Sequence, residues 1–210
     1  MVYPIGKRIV PPLVRGLWVK EVNGLENLPK EGSFIIAANH ASYMDHLVMS
    51  LLVEHLDRKV HVLAKKEHFE NFFERAWHRY VGAIPLDRQL GGKKALKQAV
   101  KALKEGKIIA IYPEGTRTLT GKLQKAKTGV ARLALQSKVP VIPIGLIGTF
   151  EILPKGKYIP KLKRATMSIG KPMHFEKYCN KKINKRVLME VTTGIMKEIA
   201  KLSKQKYSFR

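Results

Sequence analysis

The segment Asn39-His40-Ala41-Ser42-Tyr43-Met44-Asp45 sets a histidine five residues before an aspartate, directly after the apolar run Ser33–Ala38. A carboxylate that holds one ring nitrogen of an imidazole leaves the other with a free lone pair, the arrangement of a general base. Five residues along an uninterrupted α-helix turn the chain through about 500°, which would point the two side chains about 140° apart. Contact therefore requires His40 in a turn and Asp45 in the first turn of a following helix, where side chains lean back toward the helix N-terminus. Asp45 in that place also has a purely structural reading, as a first-turn carboxylate favoured by the helix dipole. Ser42, between the two, reads either as a nucleophile or as a turn or capping hydroxyl.

A second cluster, Tyr112-Pro113-Glu114-Gly115-Thr116-Arg117, follows the apolar run Ile108–Ile111. A glycine lets backbone N–H groups approach an anion, and an arginine adds a planar fork of donors, so the loop suits a phosphate. The alternative is an ordinary turn carrying a structural ion pair. Histidines 46, 55, 61, 68, 78 and 174 have no carboxylate or cysteine partners at ligand spacing, so no metal site is expected.

These residues need a scaffold that brings two strand ends together. Short apolar runs rich in β-branched residues alternate with segments of helical period, the pattern of βα units around a mainly parallel sheet. Strands are expected at Phe34–Ala38, Val60–Ala64, Ala83–Leu86, Ile108–Tyr112, Val141–Gly145 and Ala165–Ile169. Helices are expected at His46–Glu54, Phe69–Arg79, Lys93–Glu105 and Thr128–Gln136, with a lysine-rich terminal helix over Ile183–Lys204. In such sheets ligands gather at the carboxyl ends of the strands, where both clusters fall. The fold class is therefore α/β, one domain over residues 1–210, with a central sheet flanked by helices. Within it, residues 1–21 form a candidate membrane-contacting segment and residues 173–210 a basic helical one.

Composition narrows the partners. In 210 residues, 40 Lys+Arg stand against 16 Asp+Glu, a formal net charge of +24. The excess is uneven: residues 1–60 carry +1, residues 61–120 carry +6 and residues 121–210 carry +17. An external anion is implied: nucleic acid, an anionic membrane surface or an acidic carrier. Lys155–Arg164 is the most loop-like basic stretch. The lone Cys179 excludes an intramolecular disulfide framework, which fits a cytosolic setting. The longest stretch free of Asp, Glu, Lys and Arg is Gly32–Met44, too short for a spanning helix of about 20 residues. Phe69, Phe72, Phe73, Ala76, Trp77 and Tyr80 form an aromatic stripe at helical spacing, read as core rather than as a lipid-contacting face. Ile9–Trp18 is the other membrane candidate, and Pro11 and Pro12 are expected to keep it from being a long helix.

Taken in order, the motifs resemble the glycerolipid acyltransferase family of the PlsC type, marked by an HxxxxD motif. Val22–Pro29 is similar to its lead-in, Asn39–Asp45 to its catalytic block, Ala64–Glu67 to its lysine–glutamate segment and Gly82–Arg88 to its second block. Pro113–Arg117 resembles the third block, Val139–Ile144 the fourth and Gly170–Pro172 the usual close. His68 stands where that family usually has leucine, and nothing in Met1–Trp18 resembles its longer hydrophobic N-terminal helices. The resemblance implies a glycerol-3-phosphate acyltransferase-like fold and His40 and Asp45 as the catalytic pair. Arg88, Glu114, Gly115, Thr116 and Arg117 would bind the substrate phosphate, and Lys65 would contact the phosphate or the oxyanion. It also implies lysophosphatidate as acceptor and acyl-CoA or acyl-carrier protein (acyl-ACP) as cosubstrate, with no cofactor and no metal. Transfer would be direct, by a peripheral enzyme of phospholipid biosynthesis on the cytosolic face of the cytoplasmic membrane. Another lysophospholipid or a lyso-amino-acid lipid is the alternative acceptor. From a different class, a basic nucleic-acid-binding protein explains the charge but none of the motifs, so no nucleic-acid partner is expected.

Overall fold

The structure, a computed structural model, describes residues 2–72, 75, 82–86, 93–178 and 182–209. Seven strands form one sheet: β1 (Val19–Asn23), β2 (Ile35–Ala38), β3 (Val60–Lys65), β4 (Ile84–Leu86), β5 (Ile108–Ile111), β6 (Val141–Ile147) and β7 (Ala165–Ile169). Their order across the sheet is β1-β7-β6-β2-β5-β3-β4. The block β6-β2-β5-β3-β4 is parallel throughout, β7 runs antiparallel to β6, and β1 runs parallel to β7. The α/β class expected from sequence is what the chain adopts.

The central strands read as continuous apolar runs because both faces of the sheet are covered. Along β2 the alternation is plain. Ile35 and Ala37 face a layer built by α3 (Lys93–Lys104), α4 (Gly129–Ser137) and α6 (Lys185–Leu202). Phe34, Ile36 and Ala38 face the opposite layer, built by α1 (Val2–Trp18) and α2 (Met44–Leu56). Full burial of each such isoleucine or leucine contributes about 1.5–3 kcal/mol. α6 starts on Asn184, whose side chain accepts from the Val187 N–H, and ends against β6. There a Cβ on Gly145 would lie 2.3 Å from the Leu202 carbonyl carbon, so only glycine permits the approach.

Three expectations need correction. Pro11 and Pro12 do not shorten the N-terminal segment: α1 is 17 residues long and carries both prolines inside it. Each proline removes a backbone donor, but Val14 is fully covered and Val10 and Trp18 pack on the cluster containing Met44 and Val48 of α2, so tertiary packing outweighs the local penalty. β1 was not expected as a strand. Its alternation is broken by a register shift between Val19 and Glu21, which hides the period-two signal. The antiparallel β6–β7 pair departs from simple βα alternation, because only the one-turn helix α5 (Thr149–Ile152) and a long loop connect the two strands. Of the aromatic stripe, Phe69 ends a 3-10 turn over Lys66–Phe69 and Phe72 is exposed. Phe73, Ala76, Trp77 and Tyr80 lie outside the described residues.

Candidate functional site

Ala37 of β2 is in register with Ile111 of β5, so the segments that follow these parallel neighbours leave the sheet at the same edge. Asn39 holds that edge. Its amide donates to the Leu146 carbonyl at 2.9 Å and its carbonyl accepts from the Leu146 N–H at 2.7 Å, continuing the β2–β6 ladder with a side chain where the main chain turns away. His40 comes next, and both of its main-chain groups go to the segment after β5. The His40 N–H donates to Glu114 Oε1 at 2.7 Å, and its carbonyl accepts from the Thr118 N–H at 3.0 Å. The two sequence clusters are thus laced into one site.

Asp45 is the second residue of α2, and its side chain is 0% exposed. One oxygen, Oδ2, takes His40 Nδ1 at 2.8 Å, the Ala41 N–H at 2.7 Å and the Ser42 N–H at 2.8 Å. A carboxylate only accepts, so Nδ1 carries the proton of neutral His40 and Nε2 is left as the basic nitrogen. Asp45 Oδ1 is buried with no hydrogen-bond partner among the described residues. The geometry joins the two readings of Asp45: it caps its own turn through two backbone N–H groups and orients the imidazole with the same atom. Ser42 is fully buried, its hydroxyl donating to the Leu153 carbonyl at 2.6 Å and accepting from the Met44 N–H at 2.9 Å. That is a turn hydroxyl with its bonding capacity in use.

The His40 ring is stacked on Tyr112, centroid to centroid 3.9 Å with 13° between the planes. Burial pushes the Tyr112 phenol well above its usual range, with the Asp45 charge adding to the shift. The phenol therefore keeps its proton, and its oxygen lies 3.2 Å from His46 Nδ1. The three rings form a triangle, His46 lying edge-on to both Tyr112 at 5.1 Å and His40 at 5.5 Å.

Glu114 is buried, and burial raises its carboxyl to about 7 against the pull of N–H donors from His40 and Gln124. Gly115, with φ of +74°, turns the loop over the Lys127 side chain, and the carbonyl of the exposed Thr116 accepts from Gln124 Nε2 at 3.0 Å. Arg117 makes no ion pair among the described residues. Its guanidinium carbon lies 3.3 Å from the centroid of the Tyr43 ring, and its Nη1 is buried with no hydrogen-bond partner among the described residues. A guanidinium held by stacking, with donor capacity unspent, is equipped to take an anion.

Lys65 ends β3 with its backbone paired to Leu86 of β4. Arg88 lies outside the described residues, as does Cys179. Among the described residues no group of three or more His, Cys, Asp and Glu side chains could hold a metal ion. The surface His174 meets Glu176 at 3.3 Å, a carboxylate partner that spacing alone did not suggest. Sequence reasoning missed Tyr112, His46, Tyr43 and Gln124 as contributors. Tyr43 and Tyr112 were legible only as aromatics inside or beside the two clusters.

Residues 20–147 match the Acyltransferase family model. The 1-acyl-sn-glycerol-3-phosphate acyltransferase of Bacillus subtilis is 34% identical over 154 residues, 73% of each chain. That of Streptococcus pneumoniae is 26% identical over 95% of this chain and 75% of its own. The crystal structure of the 1-acyl-sn-glycerophosphate acyltransferase PlsC from Thermotoga maritima superposes with a TM-score of 0.77 at 25% identity, covering 99% of this chain and 81% of that one. The family match runs from β1 through β6 and so carries every strand end on which the His40 and Glu114 segments are built; the chain belongs to the Acyltransferase family and is an acyltransferase.

Proposed function

We propose that this enzyme moves a fatty acyl group from a thioester, acyl-CoA or acyl-ACP, to the free sn-2 hydroxyl of lysophosphatidate, giving phosphatidate for phospholipid synthesis. The observation that carries the reading is Arg117, stacked on Tyr43 with a buried, unspent Nη1, beside the His40–Asp45 pair. A phosphomonoester offers the oxygen acceptors this guanidinium lacks. The names of the relatives from B. subtilis and S. pneumoniae support the same acceptor.

The acceptor hydroxyl attacks the thioester carbonyl carbon while His40 Nε2 takes its proton. Asp45 stabilises the resulting imidazolium through Nδ1. The tetrahedral oxyanion collapses, the C–S bond breaks, and the departing sulfur takes the proton back from His40. No acyl-enzyme is needed, since Ser42 spends its hydroxyl on Leu153 and Met44. Arg117 and Arg88 hold the phosphate, Glu114, Gly115 and Thr116 shape the loop that carries Arg117, and Lys65 takes the phosphate or the oxyanion. No cofactor or metal takes part. The enzyme works as a peripheral protein at the cytosolic face of the cytoplasmic membrane; none of its described helices is long and apolar enough to cross a bilayer.

The test is a donor-by-acceptor activity matrix read by mass spectrometry, with His40→Ala as control. Phosphatidate with equimolar free thiol, lost in the control, is expected. Transfer that is as fast to a phosphate-free monoacylglycerol would overturn the assignment of Arg117.

A further inference from the structure

The loop between α5 and β7 carries side chains that no packing in the fold accounts for. Tyr158, Ile159 and Leu162 are 88%, 84% and 82% exposed, within five positions of one another. Around them stand Lys155, Lys157, Lys161, Lys163 and Arg164, all exposed, and residues 155–164 contain no acidic residue. Scattered single apolar residues are ordinary on a surface, whereas a cluster rimmed by like charge marks a contact site.

The loop is also firmly rooted. The Lys161 N–H donates to the Ile152 carbonyl at 2.8 Å, and the Lys157 N–H to the Pro154 carbonyl at 3.1 Å. Two bonds tie it to the end of α1, from Trp18 Nε1 to the Lys161 carbonyl and from Arg164 to the Gly16 carbonyl. α1 itself shows Ile9, Leu13 and Leu17 to solvent, spaced one helical turn apart. The root at Leu153 is held by the hydroxyl of Ser42, which lies between His40 and Asp45.

We propose that residues 154–164 form a bilayer-inserting wedge: Tyr158, Ile159 and Leu162 enter an anionic leaflet beside the exposed stripe of α1 while the five cations meet its headgroups. The cations together with the three exposed apolar side chains select this occupant. A cationic rim without counter-charge repels a second copy of this strongly basic chain and attracts a surface of anionic lipid. The bond from Ser42 to Leu153 then ties the depth of insertion to the position of the catalytic turn, so an acceptor reaches His40 from the leaflet it already occupies. The lipid nature of the occupant rests on the acceptor proposed above.

The experiment is flotation with vesicles of phosphatidylcholine alone or with equal phosphatidylglycerol, at low and high salt. It compares the parent chain with the triple variant Tyr158→Ser, Ile159→Ser, Leu162→Ser and with Lys155→Gln, Lys157→Gln, Lys161→Gln, Lys163→Gln. The triple variant is expected to lose about tenfold or more of its partitioning at both salt concentrations. The glutamine variant should lose binding chiefly at low salt. Turnover of a short-chain lysophosphatidate below its critical micelle concentration should stay within about twofold of the parent in the triple variant, showing that the site is intact. Unchanged partitioning of the triple variant overturns the wedge, as does parent binding that ignores phosphatidylglycerol. Self-association without vesicles that the triple variant abolishes overturns it in favour of a second copy. A parent that partitions as expected but acylates no lysophosphatidate leaves the wedge standing and refutes the proposed acceptor.

Discussion

Replacing Asp45 by asparagine separates the charge of this residue from its hydrogen bonds. In the parent, Oδ2 alone receives the three donors from His40, Ala41 and Ser42, and Oδ1 receives none. An asparagine oriented with its oxygen toward those donors keeps all three bonds and places its NH2 where Oδ1 stood. The opposite orientation would set an NH2 against three N–H groups, so the first is adopted. Its cost is an unsatisfied buried amide, about 1–3 kcal/mol of stability. The tautomer of His40 is unchanged, and what disappears is the negative charge beside the imidazolium. Two unit charges about 4 Å apart at an effective dielectric of about 20 interact by about 4 kcal/mol. If half to all of the imidazolium charge has developed at the transition state, kcat falls about 30- to 1000-fold at little change in KM. Thiol release from acyl-CoA in the presence of lysophosphatidate measures it, and thermal unfolding confirms that the variant is folded. A folded variant within about threefold of the parent kcat would refute an electrostatic role for Asp45. Asp45→Ala supplies the contrast: it leaves three donors without an acceptor, and its failure is one of folding before it is one of chemistry.

Other perturbations test the neighbouring groups. Glu114, raised by burial from its ordinary 4.5 to about 7, holds a proton more tightly folded than unfolded. Its contribution to stability is therefore whole below about pH 4.5 and is lost as pH rises through 7, by about 3 kcal/mol. Urea unfolding from pH 5 to 8 should show that slope in the parent and lack it in Glu114→Gln. Arg117→Lys exchanges a stacked planar fork for a point charge, and KM for the phosphate acceptor should rise about 10- to 100-fold while KM for the thioester holds. Equal changes in both would refute the phosphate assignment. Gly145→Ala forces a Cβ to within 2.4 Å of Ser203 N and should cost about 3 kcal/mol in urea unfolding, since backbone rather than a flexible side chain must yield.

Much of the scaffold was legible because its central strands are short, largely buried and parallel, so each appears as an apolar run. Ile35–Ala38 and Ile108–Ile111 are examples, and the residues after them could be assigned to one sheet edge from the sequence alone. The pairing of His40 with Asp45 was legible for a related reason, since it is local and helix geometry limits how five residues can close. What could not be read is the support built by distant parts of the chain. The rungs from Asn39 to Leu146, the stack of Tyr112 on His40 and the seat of Arg117 on Tyr43 join positions 72 to 107 residues apart. No periodicity records such meetings. Local rules failed at α1, where two prolines argue against a long helix and the packing of Val14 and the partly buried Val10 on the α2 cluster decides for one.

The uneven charge can also be followed into the fold. After residue 120 only Glu151, Glu176, Glu190 and Glu198 are acidic, against 21 Lys and Arg. Two of these acids are already engaged elsewhere: Glu190 accepts from the Tyr178 hydroxyl, and Glu176 faces His174. Among the described residues no Lys or Arg beyond position 120 forms an ion pair, whereas Arg15, Lys20, Lys101 and Lys107 do. The C-terminal cations are thus left to the surface rather than spent on holding the fold together. Positive charge in this chain has two environments. Arg117 is half-buried and stacked on Tyr43, three residues from His40, where the proposed function has a fixed cation in a water-poor setting take the acceptor phosphate. The exposed lysines lie in high dielectric, where each is worth little alone and only their number makes a surface attractive to anions. A net charge of +24 says nothing about which reaction is catalysed. It fits the proposed reaction, in which the acceptor is drawn from an anionic surface.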